Sequence, residues 1–230
     1  MENDRSFRHE LKYLINKRDM DCCVALLKNF ASADPHAKDG GYFVRSLYFD
    51  DPAGSAYMEK EDGVRSRHKY RIRTYDMDSG FICLEKKIKE GSFVKKESAL
   101  LTEAEYRDIM AGRGDALLRH SESVAKDFAT ECRIRCLRPE VIVDYDRLPF
   151  VYEPGNVRIT FDMNVRAVID SCDIMKADAP EYEVLGRDLL IMEVKYTQFL
   201  PDIFRAILPN ESCRLAMSKY CLCYDKKHGF

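Results

Sequence analysis

The sequence predicts an α+β protein whose strands form an antiparallel sheet or barrel. Three observations lead there. About eight segments are rich in Val, Ile, Tyr and Phe and alternate in polarity with a period of two. Several are joined hairpin-fashion through turn-like connections, such as DMDSG at 76–80 and Pro154-Gly155. Helical patterns fall between and after the strands, which gives α+β.

In chain order, residues 7–15 read as a strand. Asp19 to Phe30 places Met20, Cys23, Val24, Leu27 and Phe30 on one side of a helix. YFVRSLYFD (42–50) is a β-rich run, and Ala53 to Lys60 a short helix before Gly63. Strands 66–75 and 81–89 pair through DMDSG, and 93–99 follows Gly91. Thr102 with Glu105 is a capping-box pair, so a helix starts there and stops near Gly112; helical periodicity resumes over 115–136. After Pro139 the strands return as VIVDYDRL (141–148), VRITFDMNVRAVI (157–169), EYEVL (181–185) and LLIMEVKYT (189–197). The last part reads as helix over 202–208 and about 213–227.

The 230 residues are 46% hydrophobic and 33% charged, which describes a soluble globular chain rather than a disordered one. A formal net charge of −2 excludes nucleic-acid binding by basic excess, so any anion site must come from local clustering. The nine cysteines include no C-x-x-C pair, which argues against zinc and for reduced thiols filling core. No signal-peptide pattern is present, nor any apolar run near the ~20 residues of a membrane span; the expected location is cytoplasmic.

The strands carry their charges on one face. Residues i and i+2 of a strand share a face. Arg8, Glu10 and Lys12 therefore oppose Phe7, Leu11 and Tyr13, with His9 on the apolar side. Lys69, Arg71 and Arg73 oppose Tyr70 and Ile72; Glu85 and Lys87 oppose Leu84 and Ile88. Arg158, Asp162 and Arg166 oppose Ile159, Phe161 and Met163; Glu193 and Lys195 oppose Met192 and Val194. Two structures fit: an antiparallel sheet with a wet charged face, or a closed barrel with a charged lumen and an apolar outer wall covered by helices. Mixed signs on one face favour the lumen, because pairing lowers the cost of confining charge.

Taken in order, RHELKYLI, RSLYFDD, GVRSRHKYRIRTY, LEKKIKEGSFVKKE, VIVDYDRLPF, VRITFD, LLIMEVKYTQFLP and SKYCLCYD resemble the triphosphate tunnel metalloenzymes (CYTH-like). Within them, the resemblance is to the polyphosphate polymerase domain of the vacuolar transporter chaperone (VTC) family in its stand-alone bacterial form. It covers nearly the whole chain, so residues 1–230 are expected to form one such domain. It implies an eight-stranded antiparallel barrel with a polar lumen, flanked by helices. It also implies ATP-dependent elongation of inorganic polyphosphate with a divalent metal, Mn²⁺ or Mg²⁺.

Carried over by position, Lys12, Arg71, Arg73, Lys87, Arg147, Arg158 and Lys219 match the family's phosphate-binding cations, with Lys95 as a further one. Arg71, Arg73, Lys87, Arg158 and Lys219 are the expected catalytic group. Tyr145 and Ser218, which flank matched positions, and Lys195 on the charged face are expected to contact phosphate as well. Glu193 matches the metal-binding carboxylate, with Glu10 and Glu85 as its expected companions.

Hydrolytic relatives begin E-x-E-x-K; here Arg8 replaces the first Glu, which argues for a chain-binding tunnel over a two-metal triphosphatase. The expected partners are ATP and inorganic polyphosphate, without nucleic acid, and with a membrane protein as a further partner. Two other functions stay open: hydrolysis of triphosphate or short polyphosphate, and polyphosphate binding without catalysis. Plainer readings also stand: charge ladders for Glu193–Lys195 and Glu10–Lys12, an exposed helix lysine for Lys219, a turn or cap for Asp50, and structural roles for His9 and His68.

Overall fold

The computed structural model describes residues 8–35, 37, 40–77, 80–216 and 218–230; Phe7 and the Asp78-Ser79 part of DMDSG lie outside them. Strand β1 (Arg8–Asn16) leads into helix α1 (Lys17–Leu27) and the two-residue β2 (Ser32–Ala33). Next come β3 (Tyr42–Asp50), α2 (Ser55–Glu61) and the meander β4 (Ser66–Tyr75), β5 (Ile82–Glu90) and β6 (Phe93–Leu101). Helices α3 (Glu103–Met110) and α4 (Ser123–Ile134) precede β7 (Arg138–Tyr152), β8 (Val157–Val168), the short β9 (Tyr182–Glu183) and β10 (Leu189–Tyr196). Helices α5 (Asp202–Ile207) and α6 (Lys219–His228) end the chain.

Eight strands close a ring in the order β7-β3-β4-β5-β6-β1-β10-β8, with β8 pairing back onto β7; all these pairings are antiparallel. The closed ring decides between the two structures that the alternation allowed. The outer face is apolar. Leu47, Phe49, Tyr70, Ile72 and Leu84 pack against Tyr106, Phe128 and Ala129 of α3 and α4. On another side Tyr13, Ile159, Phe161, Met192 and Val194 pack against Leu27 of α1 and Phe204 of α5. Burying such side chains contributes roughly 1.5–3 kcal/mol each, which is what holds helices on a ring whose inside is charged.

Local chemistry sets the element ends. Thr102 and Glu105 form the expected capping box: each side chain accepts the other's backbone N–H, at 3.2 and 2.8 Å. Asp50 is a cap; its carboxylate accepts from the Ala56 and Tyr57 N–H groups and from the Tyr220 hydroxyl. His9 stacks on Tyr196, and His68 meets Glu131 of α4.

Three readings need correction. The 115–136 stretch splits into a 3₁₀ turn (Gly114–Arg119) and α4. The final helix starts at Lys219 rather than near 213, because Arg214 bridges to Tyr13 and the Leu215 N–H donates to the Lys12 carbonyl. Arg166 leaves the charged face. The β7–β8 register shifts between Asp144 and Asp146, Asn164 sits at φ 50°, and Arg166 turns outward to Glu181. One extra residue flips the parity of everything beyond it.

Candidate functional site

The lumen face of each strand follows from the ladder register. Lys12 lies opposite Glu193 and Glu10 opposite Lys195; Lys195 in turn lies opposite Arg158, and Arg147 opposite Asp162. Across the ring, Arg71 lies opposite both Tyr48 and Glu85, and Lys69 opposite Lys87. The strands thus bring Lys12, Arg71, Arg73, Lys87, Arg147, Arg158 and Lys195 into one lumen, with Glu10, Glu85 and Glu193. Asp162, not singled out as a site residue from sequence, joins them.

Lys95 does not. It lies opposite Ile88 on the outer face and pairs with Glu97 at 2.7 Å. Lys96 takes the lumen place instead and reaches Glu85 at 2.8 Å. The cause is the two-residue turn Gly91-Ser92, which sets Glu90 opposite Phe93 and so puts even-numbered β6 residues inside.

The lumen carboxylates are held in three groups. Glu85 is 2% exposed and takes Arg71 Nε at 2.6 Å as well as Lys96. Glu10 takes both carboxylate contacts of Lys87 at 2.9 Å, with Lys12 at 3.2 Å and Lys195 at 3.7 Å. Asp162, fully buried, receives Arg147 through two parallel bonds of 2.7 and 2.8 Å. Lys219 is no exposed lysine. From the first turn of α6 its Nζ bonds both Asp162 and Glu193, the latter at 2.8 Å. Ser218 caps that helix, accepting the Cys221 N–H, and also receives Lys69 at 3.2 Å.

The electrostatics follow from this crowding. Burial pushes the Glu85, Glu10 and Glu193 carboxyls up, but the surrounding cations outweigh it and hold all three well below the usual carboxylate range. Lys69 goes the other way. Burial lowers its ammonium, with Lys12 and Arg71 adding, against Tyr48 and Cys221. Lys89 is likewise lowered by burial and by Arg67. An arriving phosphate raises such lysines. Tripolyphosphate binding is therefore expected to take up protons at alkaline pH, and its affinity to fall as pH rises. Calorimetry in buffers of different ionisation enthalpy checks this; zero net uptake would contradict it.

Tyrosine hydroxyls aim the arginines. Arg71 Nη1 donates to Tyr48 Oη at 2.9 Å, Arg73 Nη2 to Tyr145 Oη at 3.0 Å, and Arg158 Nη2 to Tyr42 Oη at 2.9 Å. Burial raises the Tyr48 phenol, yet Arg71, Lys69 and Arg73 together bring it down to about 8. Arg158 Nε and Thr160 Oγ1 are buried without a hydrogen-bond partner among the described residues. Both lie on strand β8, and Arg158 lines the larger of the two lumen cavities.

Two cavities occupy the lumen, of about 580 and 490 Å³, and His9, Glu10 and Lys87 line both. The larger holds Arg71, Arg73, Lys96, Arg147, Arg158 and Lys195. The smaller, at the hairpin end, holds Lys12, Lys69, Lys89 and Ser218. Glu193 and Asp162 share the cation Lys219, and Glu193 and Glu10 share the cation Lys195. Glu85 is not brought to them; Arg71 and Lys96 hold it. Among the described residues no three His, Cys, Asp or Glu side chains converge to hold a metal by themselves. Magnesium-type ions commonly take one or two protein carboxylates and complete their shell with substrate phosphates. Asp162 does not fit that mode, because it is fully buried with both oxygens held by Arg147 and Lys219; Glu10, which lines both cavities, and Glu193 are the carboxylates left for it.

No helix among the described residues is long and apolar enough to cross a membrane. Similar folds occur in solved structures of low identity. A candidate adenylate cyclase from Bacillus halodurans aligns with TM-score 0.54 at 13% identity, covering 90% of this chain and 94% of its own. A candidate adenylyl cyclase from Hippeastrum, described as having a dominant triphosphatase activity, aligns with TM-score 0.54 at 12% identity, covering 96% of each chain. A candidate adenylate cyclase from Vibrio parahaemolyticus gives 0.53 at 11%, covering 94% of this chain and 97% of its own. These likenesses show the fold. No match is found among curated proteins. The sequence profile of the VTC domain matches residues 7–228, and the chain belongs to the VTC domain family.

Proposed function

We propose that this chain transfers the γ-phosphoryl group of ATP to the end of an inorganic polyphosphate chain inside the lumen. The observation that supports this best is the lumen itself: a closed ring whose inner face carries more cations than carboxylates, with arginines already aimed by tyrosine hydroxyls. Phosphoryl transfer needs alignment and charge stabilisation more than covalent help from the protein. Arg71, Arg73 and Arg158 grip phosphate oxygens through planar forks, while Lys87, Lys195 and Lys219 act as point charges. A terminal chain oxygen attacks the γ-phosphorus, the bond to the bridging oxygen breaks, and ADP leaves with that electron pair. No general base is required, because a terminal phosphate is largely ionised near neutral pH. A Mn²⁺ or Mg²⁺ held by Glu193 and Glu10 would add charge neutralisation on the phosphates.

The chain has no excess of positive charge for nucleic acid, and polyphosphate chemistry of this kind is expected in the cytoplasm, with a membrane protein as a further partner. The test is incubation with ATP, Mn²⁺ and a short polyphosphate primer, with products sized on a gel, beside Glu193→Gln. Long chains from the wild type and at least a hundredfold fewer from the variant are expected. Free phosphate without long chains would instead make the protein a hydrolase. Primer binding without turnover would make it a binding module.

A further inference from the structure

We propose that Tyr42, Tyr75 and Phe81 form a nucleobase-stacking rim at the mouth of the larger cavity, so that the phosphate donor is held by its base as well as its phosphates. This rests on the reading of that cavity as a phosphate grip and adds a site for the nucleoside half of the substrate. The three rings line the same roughly 580 Å³ cavity as Arg71, Arg73, Arg147 and Arg158. They sit where β3 begins, β4 ends and β5 begins, which is one end of the ring. Tyr75 meets Tyr42 edge-on at 5.4 Å and 85°, and meets Phe81 at 5.4 Å and 43°. All three are half-buried, so each leaves ring surface toward the cavity mouth.

The rim is continuous with the grip. The Arg73 guanidinium carbon lies 5.9 Å from the Tyr75 ring, and Arg158 bonds the Tyr42 hydroxyl at 2.9 Å. A ligand whose anionic end reaches these arginines has its uncharged end among the rings. Asp76, exposed at the same mouth, accepts the Phe43 N–H through Oδ1 at 2.9 Å and leaves Oδ2 for ribose hydroxyls. The opposite cavity is different: among its described lining residues the rings are His9 and His68, with no Tyr or Phe. A phosphate chain needs no aromatic surface, whereas a nucleoside does. Stacking accepts any base, because every base has a π-face, so adenosine and guanosine triphosphates are expected to bind within a few-fold of each other.

The test compares ATP with tripolyphosphate, which has no base, on wild type and Phe81→Leu. Stacking of one base typically carries about tenfold or more in affinity. The ratio of ATP to tripolyphosphate affinity is expected to fall about tenfold in the variant. An unchanged ratio with tripolyphosphate still bound overturns the base site alone. Failure of wild type to bind tripolyphosphate overturns the phosphate reading, and this proposal with it. A second measurement needs no variant. 2-Aminopurine riboside triphosphate should lose fluorescence when bound and regain it when ATP displaces it. Binding without quenching would overturn the rim.

Discussion

Arg73→Ala is expected to cut polyphosphate synthesis by about 10³-fold or more while leaving the fold nearly intact. The size follows from what a single well-aimed arginine contributes to phosphoryl transfer, about 10³–10⁵ in turnover. The intact fold follows from Arg73's partners. Its Nε donates to Ser46 Oγ at 3.1 Å and its Nη2 to Tyr145 Oη at 3.0 Å, both neutral. Its Nη1 lies 3.8 Å from Glu85, which keeps Arg71 and Lys96 when Arg73 is gone. Removing it therefore leaves no buried carboxylate without a cation. The structural loss is two hydrogen bonds from the guanidinium to neutral hydroxyls, about 1.5 kcal/mol each, so Tm should fall by roughly 6–12 °C. Arg71→Ala is a poorer probe, because it takes away the shortest contacts of Glu85 and mixes activity with stability. A folded Arg73→Ala protein with wild-type turnover would remove Arg73 from the site.

The strand-by-strand alternation made most of the lumen legible. A charge every second residue inside an apolar run, as in Glu193 and Lys195, has one physical meaning once the ring closes: the charged side faces in. Closure itself was not written in that pattern, since a wet face produces the same alternation; family resemblance supplied it, and the pairing of β8 onto β7 bears it out. Parity was legible only as far as each strand ran unbroken. The tight Gly91-Ser92 turn put Lys96 where Lys95 was expected, and the bulge at Asn164 sent Arg166 outside. Neither event changes residue composition, so neither has a period-two signature. Asp162 was legible as a lumen residue but not as a counter-ion, because its partners Arg147 and Lys219 come from β7 and α6. The tyrosine hydroxyls that aim Arg71, Arg73 and Arg158 were hidden for a different reason. Tyrosine reads as wall packing in any strand, and its polar end acquires a role only when a neighbouring strand sets an arginine beside it.

Asp162 carries the second large effect, this time on stability. Asp162→Asn would keep the shape and remove the charge that compensates two buried cations, Arg147 and Lys219. Breaking a buried pair in this way typically costs about 3–5 kcal/mol, since the remaining charge stays desolvated. In a chain of this length that is a Tm loss on the order of 10 °C. The variant's deficit should shrink when polyphosphate is added, because phosphate oxygens can compensate the same cations and a ligand that binds the native state alone stabilises by mass action. The pH dependence has a definite sign. Burial raises the Asp162 carboxyl, but Arg147 and Lys219 outweigh it and leave it below the ordinary aspartate value. Its contribution is therefore full above an unfolded-state value of about 3.9 and is lost as pH falls through the lower native one. Thermal melts at neutral pH and in acid check this: the gap between wild type and Asp162→Asn should be wide at neutral pH and close in acid. A gap that stayed constant with pH would mean that the carboxylate's charge is not what holds Arg147 and Lys219 in the lumen.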